Sequence, residues 1–262
     1  MIKSFALSQK VGLSILSCLF IFAFVQGIFD STSAAQQNLS NIFSLPNSQY
    51  LLGTDQFGRS MYARLGSAIR LSFLLCLLCV FSALALGVSA GIYAAWAQGW
   101  QEKVMDFIAN TILALPGLVL VLLFAAIAPG SFVVLYLGIA ITLWVEYYRV
   151  VKAISKSVLA SSEIEASRQL GFNWFYIIKR HLWPNLQEQI FTLASFGAAT
   201  AILTMASVGF VYVGLKPPTA ELGLMIVELF PYYADAPWVL LQPLVVLFLL
   251  ILGFNLLAGK LK

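Results

Sequence analysis

Four stretches of this chain carry no charged side chain: Leu71 to Gln101, Phe107 to Val145, Gln189 to Leu215 and Ala236 to Gly259. A helix needs about 20 apolar residues to cross the hydrocarbon core of a bilayer. The second stretch is long enough for two crossings, with Pro129-Gly130-Ser131 as the turn between them. Soluble cores do not read this way, because their apolar residues recur in stripes rather than unbroken runs. With a further apolar run over 11–29, the chain is predicted to be an all-α polytopic membrane protein. Its six spans fall at about 11–29, 71–97, 104–128, 132–150, 188–213 and 238–258, in one membrane domain covering 1–262. Only 10% of residues are charged, against about 25% in soluble domains.

The net charge of +4 sorts by position. Lys3 and Lys10 precede the first span, Arg149, Lys152, Lys156, Arg168, Lys179 and Arg180 lie between the fourth and fifth, and Lys260 and Lys262 follow the sixth. Basic residues mark cytoplasmic segments, so both termini are expected in the cytoplasm, and no nucleic-acid partner is implied. The first apolar run is about 19 residues, longer than the core of a signal peptide, and is expected to stay as an uncleaved anchor. Cys18, Cys76 and Cys79 fall inside spans, and Cys76 and Cys79 are expected to pack as small apolar side chains.

Two outer segments are unusually long, 30–70 and 214–237. From Asp55 onward the first reads as an amphipathic helix feeding the second span, with Met61, Leu65, Ala68, Ile69 and Ser72 at helical spacing. Thr54 or Asp55 is expected to cap it, and Arg59, Arg64 and Arg70 to reach the lipid headgroups. In the second, Pro217-Pro218 gives a turn and a short apolar helix follows near Leu224 to Phe230.

The most polar helical stretch, "SSEIEASRQLGFNWFYIIKRHLWPN", lies between the fourth and fifth spans at about 161–185. Ser162 and Glu165 have capping-box spacing, Glu163 adds charge to the first turn, and Gly171 stops the helix. Asn173 starts a second helix that Pro184 is expected to close. A helix of about eight residues does not hold itself together in water, and a plain connector needs only about four to six residues. A prefolded knob on the inner face therefore reads as a docking element, with a membrane-surface seal as the plainer alternative.

Catalytic chemistry finds no support. The only Gly-Lys pair, Gly259-Lys260, lacks the rest of a phosphate-binding loop, and His181 is the sole histidine. No catalytic residue and no metal site is expected. The fifth span is rich in small residues, and Ser195, Thr200, Thr204 and Ser207 offer a weakly polar route beside close helix packing. No ionisable residue sits at a span centre, and Glu146 is expected to pair with Arg149 one turn on. That weighs against the alternative reading, an ion-coupled secondary carrier.

"EASRQLGFNWFYIIKRHLWPN" resembles the coupling-helix motif of ABC importer permeases, carried here by Glu165, Ala166, Ser167 and Gly171 and ending at Trp183-Pro184-Asn185. "LGTDQFGRSMYARLGSAIRLSF", "GLKPPTAELG" and "APWVLLQPLVVLFLLILGFNLLAGKL" are similar to segments of the dipeptide, oligopeptide and nickel permeases, in the second of their paired membrane subunits. Ser60 departs from the aspartate usual in that group, and the tail ends early at Lys262. The resemblance implies a type I ABC importer permease fold. It also implies half of a translocation pathway for peptides, nickel, or metal-chelate and opine-like small molecules.

The same resemblance implies that Glu163, Glu165, Ala166, Ser167, Gln169 and Gly171 dock an ATPase subunit, and that Gly53, Thr54, Asp55, Gly58 and Arg59 form an outer family motif. The implied partners are a second permease, two ABC ATPases and an extracytoplasmic substrate-binding protein. This chain would bind no cofactor, since ATP and magnesium would belong to the ATPases. Its place would be the bacterial cytoplasmic (inner) membrane.

Overall fold

The computed structural model describes residues 6–30 and 32–259. Lys3, Lys260 and Lys262, which carry part of the charge argument, lie outside the described residues. Five helices are long and apolar enough to cross a membrane. They are α1 (Leu7–Phe29), α2 (Met61–Ala97), α5 (Phe132–Leu159), the continuous run Trp174–Phe210, and α10 (Pro237–Leu257). The sixth candidate is a broken pair, α3 (Gly99–Leu113) and α4 (Gly117–Ile127), bent by 78°. The third span expected at 104–128 thus falls on two helices that meet at a break just before Gly117. Pro116 lacks the N–H that would continue the helix, and it disfavours helical geometry at the residue before it.

The outer amphipathic stretch and the second span form one helix of 37 residues, α2. Ser60 caps it, its hydroxyl accepting from the Ala63 N–H at 3.4 Å, in place of Thr54 or Asp55. The expected stripe of Met61, Leu65, Ala68, Ile69 and Ser72 is buried. Arg70 does not reach for headgroups. Its Nη1 donates to Gln26 Oε1 at 2.8 Å and to the Ala23 carbonyl, tying α2 to α1.

Small residues let the long helices touch. A Cβ on Gly87 would stand 2.7 Å from the Tyr147 Cβ, and one on Gly91 3.0 Å from the Tyr148 carbonyl, so α2 and α5 pack backbone to backbone. On the other side α1 crosses α10 at Gly12 and Gly253. Buried Gln9 donates to the Leu257 and Gly259 carbonyls at 3.2 and 2.6 Å, satisfying the end of α10. Leu75, Cys76 and Cys79 of α2 fill the core with Ile139 and Leu143 of α5 and Ile202 of the fifth crossing.

Pro184 does not close a helix. After α6 (Ser162–Gln169), α7 (Trp174–Ile177) runs through a π-helical turn, Ile178–Leu182, into α8 (Trp183–Phe210). A proline inside a regular helix clashes with the carbonyl four residues back. The wider π turn just before it removes that conflict, and the Asn185 side chain donates to the His181 carbonyl at 2.7 Å. The inner insert is thus joined to the fifth crossing without a break.

Candidate functional site

The knob begins where α5 ends. α6 starts after Ser161, whose carbonyl accepts the first helical hydrogen bonds. The capping box expected from Ser162 and Glu165 is not formed: Ser161 occupies the cap position and makes no side-chain cap bond. The far end is built as expected from glycine. Gly171 has φ +79°, its N–H donates to the Arg168 carbonyl at 3.0 Å, and the Phe172 N–H donates to the Ser167 carbonyl at 3.1 Å. This paired closure needs a left-handed residue at the turn. A Cβ on Gly171 would meet nothing within 4 Å, so backbone conformation alone asks for glycine there.

Five of the six docking candidates, Glu163, Glu165, Ala166, Gln169 and Gly171, are exposed. Ser167 is not: it is buried, its Oγ 3.2 Å from His181 Nε2. Beneath it Ile164 is buried as well, and these two side chains seat α6 on the bundle. Arg168 lies over the Trp96 ring at 4.5 Å, and Trp96 packs on Trp174 with centroids 3.9 Å apart. Leu170 and Phe175 are 75% and 70% exposed, placing apolar surface beside the acids of α6.

The stem of the knob is braced. Lys156 reaches Glu102 at 2.5 Å, Lys152 reaches Glu102 at 3.3 Å and also pairs with Asp106, and the Tyr148 hydroxyl donates to Asp106 at 2.9 Å. These bonds tie α3 to the end of α5. Among the described residues the pair expected between Glu146 and Arg149 is absent, and both side chains are exposed.

The motif from Gly53 to Arg59 builds a buried charge network with Arg64 and Glu228. Asp55 Oδ1 accepts from the N–H groups of Phe57 and Arg59, both at 2.9 Å. Its Oδ2 accepts from Arg59 Nε at 2.6 Å and from Arg64 Nη1. Glu228 Oε2 receives Arg59 Nη2 at 3.1 Å and Arg64 Nη2 at 2.7 Å. Asp55, Arg59 and Arg64 are 0%, 2% and 1% exposed. Two arginines and two acids cancel, which makes such burial tolerable. The expectation that Arg59 and Arg64 contact headgroups is overturned: they pair with buried Asp55 and with the half-buried Glu228.

Gly53 (φ +76°) and Gly58 (φ +68°) shape that loop, and a Cβ on Gly58 would lie 1.8 Å from the Asn38 carbonyl oxygen. Thr54 donates to the Asn41 carbonyl and accepts from the Ser44 N–H at 2.8 Å. Glu228 went unnoticed in the sequence. Its signal was a lone acid inside the apolar run "LGLMIVEL", now α9 (Leu222–Leu229). Glu221 was missed too. It caps α9, its two oxygens accepting from Gly223 and Leu224 N–H at 2.8 and 2.7 Å. Burial pushes its pKa up to about 7 despite those donors.

The four pathway candidates do not share one environment. Thr200 is exposed and Thr204 and Ser207 half-buried, along a face of α8 that also exposes Phe196, Leu203 and Phe210. Ser195 is buried, its hydroxyl bonded to the Phe191 carbonyl at 3.0 Å. The structure therefore brings three of the four toward one open stripe and turns the fourth inward.

Residues 87–261 match the family described as binding-protein-dependent transport system inner membrane component. The dipeptide transport system permease protein DppC of Alkalihalophilus pseudofirmus is 31% identical over 252 residues, 96% of this chain and 83% of that protein. The glutathione transport system permease protein GsiD of Pectobacterium atrosepticum is 29% identical over 217 residues, 83% of this chain and 72% of that protein. DppC of Haemophilus influenzae is 29% identical over 216 residues, 82% and 73% of the two chains. With its apolar helices and their order, the chain belongs to the binding-protein-dependent transport system inner membrane components, the permease subunits of ABC importers.

Proposed function

We propose that this chain forms half of the translocation pathway of an importer for short peptides or peptide-like molecules, driven by ATPase subunits docked on α6. The observation that carries this is the exposed α6, closed by Gly171 and joined on both sides to membrane-crossing helices. ATPase closure would carry α6 with it. α5 enters the knob and the Trp174–Phe210 run leaves it, so both would move as levers. Glu163, Glu165 and Gln169 supply polar contacts to the ATPase groove, and Leu170 and Phe175 supply apolar area.

Peptide-like cargo is supported by the dipeptide and glutathione named for the relatives. A bare nickel ion fits less well, because the one histidine sits in the knob, bonded to Ser167. In this reading a second permease completes the pathway, and a binding protein delivers cargo at the outer face. The assembly lies in the cytoplasmic membrane with both termini inside, and ATP and magnesium are held by the ATPases. The test is uptake of labelled dipeptide and labelled glutathione by proteoliposomes holding the whole transporter and its binding protein. Uptake that needs internal ATP and survives collapse of the ion gradients supports the reading. Uptake that follows the gradients and ignores ATP would restore the ion-coupled carrier.

A further inference from the structure

A groove runs beside α6 in two stretches, of about 540 and 420 Å³, that share Gln98 and Arg168. One wall is Arg168 with the turn that closes α6, Gly171 and Phe172. The other is the end of α2 and the start of α3, at Trp96, Gln98 and Gly99. The second stretch reaches Glu102, Lys156 and Ala160, where α5 hands over to the knob. Two separate parts of the chain thus face each other across an open space along the docking helix.

The charges in the groove do not balance. Glu102 is taken up by Lys152 and Lys156. Arg168 is left over: it is exposed, and it has no hydrogen bond or ion pair among the described residues. Its guanidinium is nevertheless held in place, 4.5 Å over the Trp96 ring, which packs in turn on Trp174. A guanidinium seated on an aromatic ring offers its fork of N–H donors to a carboxylate. Trp96 and Phe172 of the groove are both exposed around it. Tryptophan and arginine together are the side chains that anchor protein interfaces.

The shape says which protein would cover them. The groove starts at Gly171, which closes α6, so a subunit seated on α6 lies over the groove as well. α6 itself exposes the opposite sign, at Glu163 and Glu165. Acid on the helix and base beside it form a two-sign pattern, and such patterns fix register more than they add affinity.

We propose that the ATPase subunit docked on α6 also fills this groove, placing an acidic side chain on Arg168 and an apolar one against Trp96 and Phe172. This rests on the docking reading above and adds a second point of contact, the turn between α2 and α3. ATPase closure would then act on α2 and α3 as well as on α5 and the fifth crossing.

The test uses the intact transporter in mild detergent, and reads the ATPase retained by the tagged chain after washing. Arg168→Glu should lower it about tenfold, since the reversed charge faces a like one. Arg168→Gln should lower it less, and the second permease should stay bound in both, which reports a folded chain. A photoreactive benzophenone side chain placed at Trp96 should cross-link to the ATPase.

ATPase retained at the wild-type level in Arg168→Glu would overturn the proposal. So would a side chain at position 96 that cross-links phospholipid in place of the ATPase, because the groove then holds a lipid headgroup. Glu165→Lys in the same assay separates the two readings. If it loses the ATPase while Arg168→Glu keeps it, docking on α6 stands and the groove contact falls; if both keep it, both readings fall.

Discussion

The Tyr147 hydroxyl of α5 rests on Gly197 of α8 and donates to the Leu193 carbonyl at 3.0 Å, in space that a Cβ on residue 197 would enter at 1.7 Å from the oxygen. The two helices joined to the knob therefore meet at a point with no spare room. Gly197→Leu should force them apart and cost about 1–3 kcal/mol, as overpacking does. Tyr147→Phe should cost only about 1 kcal/mol, the worth of one hydrogen bond. Thermal melting of the detergent-solubilised transporter compares the two, and equal losses would count against the contact.

The outer network makes a different forecast. Arg64→Met alone leaves Glu228 and Asp55 short of a buried partner, and Glu228→Leu alone leaves an excess of buried positive charge. Each should cost about 3–5 kcal/mol. The double variant retains Arg59 with Asp55 and should recover part of that loss. A double-mutant cycle on the melting transition measures it, and simple additivity of the two losses would show that Arg64 and Glu228 do not act together.

That network also marks where the sequence stopped being legible. Hydropathy alone marks the five long apolar helices, because charge is excluded over long runs. The Gly171 turn is equally plain, because one residue type answers one backbone need. Arg59 and Arg64 were misjudged because Asp55, close in sequence, was read as a helix cap, and their other partner, Glu228, lies far along the chain. Pro184 was misjudged for another reason. A proline ordinarily ends a helix, and the π turn that relieves it leaves no mark in composition. Ser162 lost the cap to Ser161 by a single residue, a shift that two adjacent serines cannot reveal.

Glu221 gives a pH dependence. Its pKa is raised by burial to about 7 from an ordinary 4.5, so folding favours the protonated form. The stability it contributes is fully present below the ordinary value and is lost as pH rises through about 7. The melting temperature should fall across that window, and Glu221→Gln, neutral throughout, should flatten the curve. An identical slope in the variant would assign the dependence to another group.

Gly171 separates conformation from contact, because its Cβ would touch nothing within 4 Å. Asparagine tolerates φ > 0 better than branched residues do, so Gly171→Asn should keep α6 in shape while Gly171→Val should not. Both variants should insert in the membrane and assemble with the second permease.

The deciding measurement is the amount of ATPase that co-purifies with the tagged chain from its native membranes in mild detergent. The wild type and Gly171→Asn are expected to bring the ATPases with them, while Glu165→Lys and Gly171→Val keep the second permease and lose the ATPases. If Glu165→Lys and Gly171→Val retain the ATPases at wild-type levels, α6 is not the docking element, and the helix is a seal on the membrane surface.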